Sequence, residues 1–146
     1  MKIKTTRFGE IEVTENNIIN FPSGIIGEEN LKRFYIFNKE EGICFWWLQS
    51  IDKPELAFLL TDPQTIAPFY KPEITQEEME AVEATNKNEI ELNVILTVPE
   101  DPRETTANLL APILLNTTKR LAKQIVLKDN RYCVNYPIVQ PATAGI

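Results

Sequence analysis

The side chains of this sequence that could do chemistry are almost all carboxylates. The chain of 146 residues has 21 acidic and 15 basic residues, a formal net charge of −6 and no histidine. Histidine is the commonest general base and metal ligand, so its absence removes Ser-His and Cys-His nucleophile pairs and most metal sites. The two serines, Ser23 and Ser50, lie outside any GxSxG motif, and the five glycines form no phosphate-binding loop. A pair of carboxylates that acts as acid and base stays open, but nothing in the sequence selects one pair among the 21 acidic residues. We therefore expect no enzymatic activity, no cofactor and no bound metal.

The two cysteines, Cys44 and Cys133, belong to no CxxC or zinc-binding pattern. Each lies in an apolar, strand-like setting, which predicts reduced and partly buried thiols. The sequence leaves a disulfide open, because cysteines that are distant in the chain can be neighbours in the fold.

Charge is distributed unevenly along the chain. Residues 73–104 include ten acidic and two basic residues, a net charge of −8, whereas residues 119–131 include five basic and one acidic, a net charge of +4. These segments predict two faces of opposite charge, although a solvated surface that only keeps the protein soluble has the same pattern. The overall acidity argues against direct nucleic-acid binding.

Most of the apolar pattern is typical of strands. Residues 45–51 and 56–60 are short apolar runs, and residues 52–54 interrupt them with a proline-containing turn. These runs predict two core strands joined by a tight connection. The sequence leaves open whether the strands also carry a functional site. Further strands are predicted at 2–7, 10–14, 18–21, 34–38, 89–98, 113–116 and 123–127, and tight turns at 40–42 and 129–130.

The strand at 89–98 has the clearest period of two, which predicts one face in the core and the other, including Asn93, mostly in water. One helix is predicted at 76–85, because Thr75 and Glu78 form a capping box and the first turn is acidic. A single helical turn is predicted at 30–33.

Many short strands with one or two short helices predict a mainly β fold, a small antiparallel β-barrel-like single domain. We place this domain at residues 1–136 and a flexible tail at 137–146. No apolar run reaches the roughly 20 residues of a membrane span. The first seven residues also lack the apolar region of a signal peptide, so we expect a cytoplasmic protein without a membrane partner.

The loop DPQTIAPFYKPE at residues 62–73 offers apolar side chains between three prolines. Proline-rich loops cannot extend a sheet, so Ile66, Phe69 and Tyr70 either cover one end of the barrel or face a partner. If they are exposed, they are the kind of anchor that protein interfaces use.

Three segments of the chain, in this order and spacing, resemble the flagellar assembly factor FliW family. They are GIIGEENLKRFYIF at 24–37, FWWLQSIDKPELAFLLTDP at 45–63 and TANLLAPILLNTTKRLAKQIVL at 106–127. The resemblance implies a non-enzymatic, mostly β, cytoplasmic protein with two partners, flagellin and the RNA-binding translational regulator CsrA. In that scheme the protein sequesters CsrA, which represses flagellin translation, until flagellin takes the protein away.

The resemblance suggests how the residues divide between these partners. The acidic side chains that we expect to lower the positive potential of the RNA-binding regulator are Glu73, Glu77, Glu80, Glu83, Glu89 and Glu91. For flagellin, we expect an apolar contact through Ile66, Phe69 and Tyr70. Two alternatives remain open: a small β-barrel enzyme or ligand- or cofactor-binding protein, and a nucleic-acid binder that uses residues 119–131. We expect neither a small-molecule ligand nor direct contact with nucleic acid.

Overall fold

The computed structural model describes residues 1–37 and 44–138 of the chain, and strands account for most of its regular structure. The strands are β1 Lys2–Thr5, β2 Gly9–Glu12, β3 Ile18–Asn20, β4 Arg33–Phe37, β5 Phe45–Ser50, β6 Ala57–Thr61, β7 Glu91–Thr97, β8 Thr106–Ala107, β9 Ile113–Asn116, β10 Leu121–Gln124 and β11 Tyr136–Pro137. The helices are α1 Pro63–Ile66 and α2 Gln76–Ala81, with 3₁₀ turns at Glu15–Asn17, Lys87–Glu89 and Pro102–Glu104.

Seven of these strands close into a barrel, in the order β7, β6, β5, β4, β3, β10, β9 and back to β7. Strand β7 makes the closure possible because its first half pairs with β9, as in Asn93 opposite Ile113, while its second half pairs with β6 and β8. The neighbouring pairs are antiparallel except at the contact of Leu121 with Asn20, where β10 runs parallel to β3. The predicted mainly β, barrel-like fold is confirmed.

Strands β4, β7 and β9 carry apolar residues on both faces, and a separate layer of the protein covers each face. Inside the barrel, alternate residues of the strands pack with the loop after β3, and the buried members are Ile19, Phe21, Ile25, Phe34, Ile36, Trp46, Leu48, Leu60, Ile113, Leu115 and Ala122. Outside, the helices and the loops near them cover one face of β7 and β9, with Tyr70, Met79, Val82, Val94 and Leu114 at the centre. The β1–β2 hairpin covers β4 through Ile3, Val13 and Tyr35.

The prediction that one face of the strand at 89–98 is mostly wet holds at Glu89, Glu91 and Thr97, which are exposed, and fails at the centre of the strand. Asn93 is only 1% exposed, and Ile95 packs against the barrel interior. The alternation itself is present, but both faces of this strand meet apolar layers. A period of two reports which residues share a face and does not report what covers that face.

Several local predictions were also corrected. Residues 30–33 form no helical turn, because the chain reverses in the preceding loop and β4 begins at Arg33. The reversal needs Gly24, at a φ of +68°, where an added Cβ would lie 2.5 Å from the carbonyl oxygen of Glu29. Helix α2 ends at Ala81, four residues early, since Glu83 takes a left-handed φ of 58°. The strand predicted at 123–127 lies at Leu121–Gln124.

Both cysteines are free and exposed, so the expected partial burial of their thiols was wrong. The turn predicted at 40–42 and most of the predicted tail lie outside the described residues, while Pro137 pairs with Thr106 in the sheet. In the part of the chain that the structure describes, no helix has the length and apolar content needed to cross a membrane.

Candidate protein-binding surfaces

The segment with the strongest sequence pattern, residues 45–63, proves to be scaffold. Gln49 is fully buried, and its Nε2 donates to the carbonyl oxygens of Pro54 and Leu56 at 3.2 and 3.0 Å, which fixes the β5–β6 turn. Arg33 Nη2 donates to Asp52 Oδ1 at 2.7 Å and ties the same turn to β4. These polar side chains are used within the fold and are not arranged as a site.

The loop that follows β6 is held from inside by Tyr70, whose side chain is 0% exposed. Its hydroxyl donates to the carbonyl oxygen of Leu109 at 2.6 Å, and its ring packs edge-on against Tyr132 at 4.7 Å. Burial raises the pKa of the Tyr70 hydroxyl, with a smaller contribution from Tyr132. Tyr70 is therefore core, which corrects its assignment as a partner contact.

Phe69 is the member of the predicted apolar trio that faces solvent. It is 58% exposed, and its ring meets the Tyr136 ring edge-on at a centroid distance of 5.8 Å. Ile66, the last residue of α1, is half-buried against the outer core. The loop therefore does both things that the sequence analysis treated as alternatives. It covers the barrel, and it presents one aromatic ring to solvent.

Helix α2 carries two of the six candidate acidic residues, Glu77 and Glu80. Its capping box is complete: the Glu78 amide donates to Thr75 Oγ1 at 3.0 Å, and the Thr75 amide donates to Glu78 Oε1 at 2.9 Å. Met79 is buried under the helix, which leaves Glu77 and Glu80 exposed on the outer side. The helix is short, so this cap and the buried methionine together fix its orientation.

The other predicted acidic residues precede or follow this helix in the chain, and all are exposed, but basic residues approach them at two points. Glu83 Oε1 lies 4.0 Å from Lys119 Nζ. The pKa of Arg131 is raised mainly by its hydrogen bonds to Asp129, with a small contribution from the charge of Glu73. The acidic and basic segments therefore adjoin each other and do not form two separate faces.

Glu89 has a structural task as well as a charge. Its carboxylate accepts hydrogen bonds from the Thr85 amide at 2.8 Å and the Thr85 hydroxyl at 2.9 Å. These bonds, the backbone one first, lower the pKa of Glu89. Glu89 closes the loop between α2 and β7, and no local sequence pattern indicated this role.

We expect the Thr85 amide resonance to titrate with a midpoint below 4.5, the ordinary pKa of glutamate. The two hydrogen bonds to the Glu89 carboxylate stabilise the folded protein at pH values above the ordinary pKa of glutamate. This stabilisation is lost as the pH falls through the lowered pKa that Glu89 has in the folded state. Two-dimensional NMR across an acid titration measures the midpoint. Glu89→Gln should abolish the titration of this amide, and a midpoint at or above 4.5 would contradict the assignment.

A groove of about 410 Å³ separates α2 from the turn after β10, and sequence reasoning missed it. Glu73 and Glu78 line it on one side, Lys128 and Arg131 line it elsewhere, and Val126, 56% exposed, adds an apolar surface. The uneven charge of the sequence was the one signal that pointed toward this groove. The exposure of Val126 was not foreseen, because the sequence analysis assigned this residue to a strand. Among the described residues, no group of cysteine, aspartate and glutamate side chains is arranged so that it could hold a metal ion.

Comparison with known proteins places this geometry in a family. The family model described as FliW protein matches residues 2–138. A flagellar assembly factor FliW of Syntrophomonas wolfei is 41% identical over 144 residues, which cover 99% of this chain and 92% of that protein. One from Geobacter sulfurreducens is 41% identical over 142 residues, covering 97% and 89%.

A solved structure gives the same result. The crystal structure of a flagellar assembly factor FliW superimposes with a TM-score of 0.87 at 35% sequence identity, covering 96% of this chain and 98% of that one.

Proposed function

Because this chain belongs to the FliW family of flagellar assembly factors, we propose that it binds flagellin and the translational regulator CsrA in turn. Bound to CsrA, it relieves the repression of flagellin translation. Bound to flagellin, it is withdrawn from CsrA, and repression returns. The protein thereby couples flagellin synthesis to flagellin export without catalysing a reaction.

The observation that carries this proposal is a set of exposed carboxylates on α2 and in the chain just before and after it, as far as the start of β7. We call it the acidic surface, and it consists of Glu73, Glu77, Glu80, Glu83, Glu89 and Glu91. A regulator that binds RNA must present positive charge to phosphates, so it is a natural partner for such a surface.

The physical effect of docking follows from Coulomb's law. Carboxylates held near a basic surface lower its positive potential over about one Debye length, roughly 8 Å at physiological salt, even where they do not cover the RNA site. RNA affinity depends on counterion release, so a fall in the local potential weakens it strongly. Antagonism therefore needs no direct overlap with the RNA.

The proposal is tested with three purified components: this protein, flagellin and CsrA. Size-exclusion chromatography should give a complex of the protein with each partner separately, and fluorescence anisotropy should report loss of a labelled leader RNA from CsrA as the protein is added. Addition of flagellin should restore RNA binding. If flagellin left RNA binding unchanged while both binary complexes formed, the switch would be wrong although the contacts were right.

We expect Phe69→Ala to weaken flagellin binding about tenfold or more, because an exposed aromatic ring on a fixed loop has the properties of an interface anchor. Isothermal titration calorimetry measures the change. The fold should be intact, since Phe69 is 58% exposed.

The matched control is Ile26→Ala, which removes another large apolar side chain that is 55% exposed and lies in a different loop. It should leave flagellin binding unchanged. Equal losses in the two variants would mean that Phe69 is not an anchor and that flagellin reads general surface hydrophobicity.

A further inference from the structure

A basic side chain, that of Lys119, lies beside two carboxylates of the acidic surface. Lys119 belongs to the turn between β9 and β10, and its Nζ lies 4.0 Å from Oε1 of Glu83. The pKa of Glu89 is lowered first by the hydrogen bonds from Thr85 and, to a smaller extent, by the charge of Lys119. Two carboxylates from different loops therefore have the same cation as a neighbour.

A buried side chain fixes the turn that carries Lys119. Asn116, the last residue of β9, is 2% exposed, and its Nδ2 donates to the carbonyl oxygen of Val82 at 2.9 Å. Its Oδ1 accepts a hydrogen bond from the Lys119 backbone amide at 3.2 Å. One asparagine thus ties the end of α2 to this turn, so the backbone of Lys119 is held although its ammonium group is exposed.

The backbone beside each member of this contact has an uncommon conformation. Glu83, just after α2, and Arg120, just before β10, have left-handed φ values of 58° and 55°. Residues other than glycine adopt this region at a cost, and they keep it only where the surrounding structure fixes them. The fold therefore holds a lysine and a glutamate from distant segments at one place.

The effect of this lysine on a basic partner has a definite sign. An exposed ion pair contributes little to stability, but its charges act on a docked molecule within roughly 8 Å, one Debye length at physiological salt. Lys119 offsets one of the two negative charges near it and repels positive charge. The ion pairs among the described residues involve neither Glu77 nor Glu80, so the attraction at α2 is not offset in this way.

We propose that Lys119 is a specificity-determining residue of the acidic surface. Its charge repels a basic partner near Glu83 and Glu89. The partner is thereby directed to Glu77 and Glu80 on the outer side of α2, at a cost in affinity that fixes where it docks. This inference rests on the proposed function, because it names the part of the acidic surface that CsrA contacts.

Neutralising Lys119 should strengthen binding, a result that damage to the fold does not produce. We expect Lys119→Met, which keeps the length of the side chain, to lower the Kd for CsrA about threefold or more at low salt. The gain should shrink as salt rises, which surface plasmon resonance at two ionic strengths measures. Lys119→Arg keeps the charge and should bind CsrA as the wild-type protein does.

The matched control is Lys4→Met, which makes the same change of net charge at an exposed residue of the hairpin. It should leave the Kd for CsrA unchanged. Equal gains in the two methionine variants would mean that CsrA senses only net charge, and they would overturn the proposal. An unchanged Kd in Lys119→Met would overturn it as well.

NMR of the labelled protein locates the contact. Addition of CsrA should shift the amide resonances of Glu77 and Glu80 in the wild-type protein, and Lys119→Met should extend the shifts to Glu89. Shifts that already centre on Glu89 in the wild-type protein would contradict the proposed direction of docking.

A further measurement needs no partner. In free Lys119→Met the titration midpoint of the Thr85 amide should rise toward 4.5, because one of the charges that lowers the pKa of Glu89 is removed. An unchanged midpoint would show that Lys119 does not act on this end of the surface. Failure of the wild-type protein to bind CsrA would overturn the proposed function and this inference together, whereas binding that Lys119→Met leaves unaltered would overturn this inference alone.

Discussion

Replacing Tyr70 with alanine should lower the free energy of unfolding by about 3–5 kcal/mol, the range for removing a large aromatic side chain from a core. The tyrosine is fully buried, and its hydroxyl donates to the carbonyl oxygen of Leu109 at 2.6 Å. The variant loses the ring and leaves that carbonyl oxygen without its donor. Denaturant unfolding followed by tryptophan fluorescence measures the loss.

The neighbouring residue gives the matched control. Phe69→Ala removes a ring of similar size that is 58% exposed, so it should change the free energy of unfolding by less than about 1 kcal/mol. Tyr70→Phe should cost about 1–2 kcal/mol, because it keeps the ring and removes only the hydroxyl. If the alanine variants at 69 and 70 were equally stable, the placement of Tyr70 in the core would be wrong.

The pKa of Tyr70 adds an independent measurement. Burial raises it above its ordinary value of 10.0, so the neutral hydroxyl is favoured in the folded protein. Deprotonation is then easier in the unfolded chain, and stability falls as the pH rises above about 10. Tyr70→Phe removes this group and should flatten the alkaline limb of the stability profile. An unchanged limb would show that other groups produce it.

Reversing two charges of the acidic surface should have the largest effect on function. We expect the double variant Glu77→Lys and Glu80→Lys to weaken CsrA binding about tenfold or more at low salt, because four units of charge change beside a basic partner. Both side chains are exposed on α2, away from its capping box, so the fold should be kept. The loss should shrink as salt rises, which surface plasmon resonance at two ionic strengths measures.

The control for this variant makes the same change of net charge elsewhere. Glu10 in the hairpin and Glu55 in the β5–β6 turn are exposed and lie outside the acidic surface, and their reversal should leave CsrA binding near the wild-type value. Equal losses in the two double variants would mean that CsrA senses only net charge. Reversal of Glu89 is a poorer test, since it would also break the two hydrogen bonds to Thr85.

The sequence by itself determined the elements whose signals are local. The capping box at Thr75 and Glu78 predicted where α2 begins, and the interrupted apolar runs at 45–51 and 56–60 predicted the central hairpin. The resemblance of residues 24–37, 45–63 and 106–127 to the FliW family also came from the sequence alone, and the family match over residues 2–138 confirms it. The absence of histidine, which the sequence shows directly, limits the chemistry that the chain can perform.

Only the tertiary structure decided which side of each element is covered. Phe69 and Tyr70 are adjacent and similar in type, yet one is 58% exposed and the other 0%, because Leu109 and Tyr132 reach Tyr70 from distant parts of the chain. Asn93 follows a pattern typical of a wet face but is buried where β9 pairs with β7. Burial is a property of packing between elements far apart in sequence, and local periodicity carries no information about those partners.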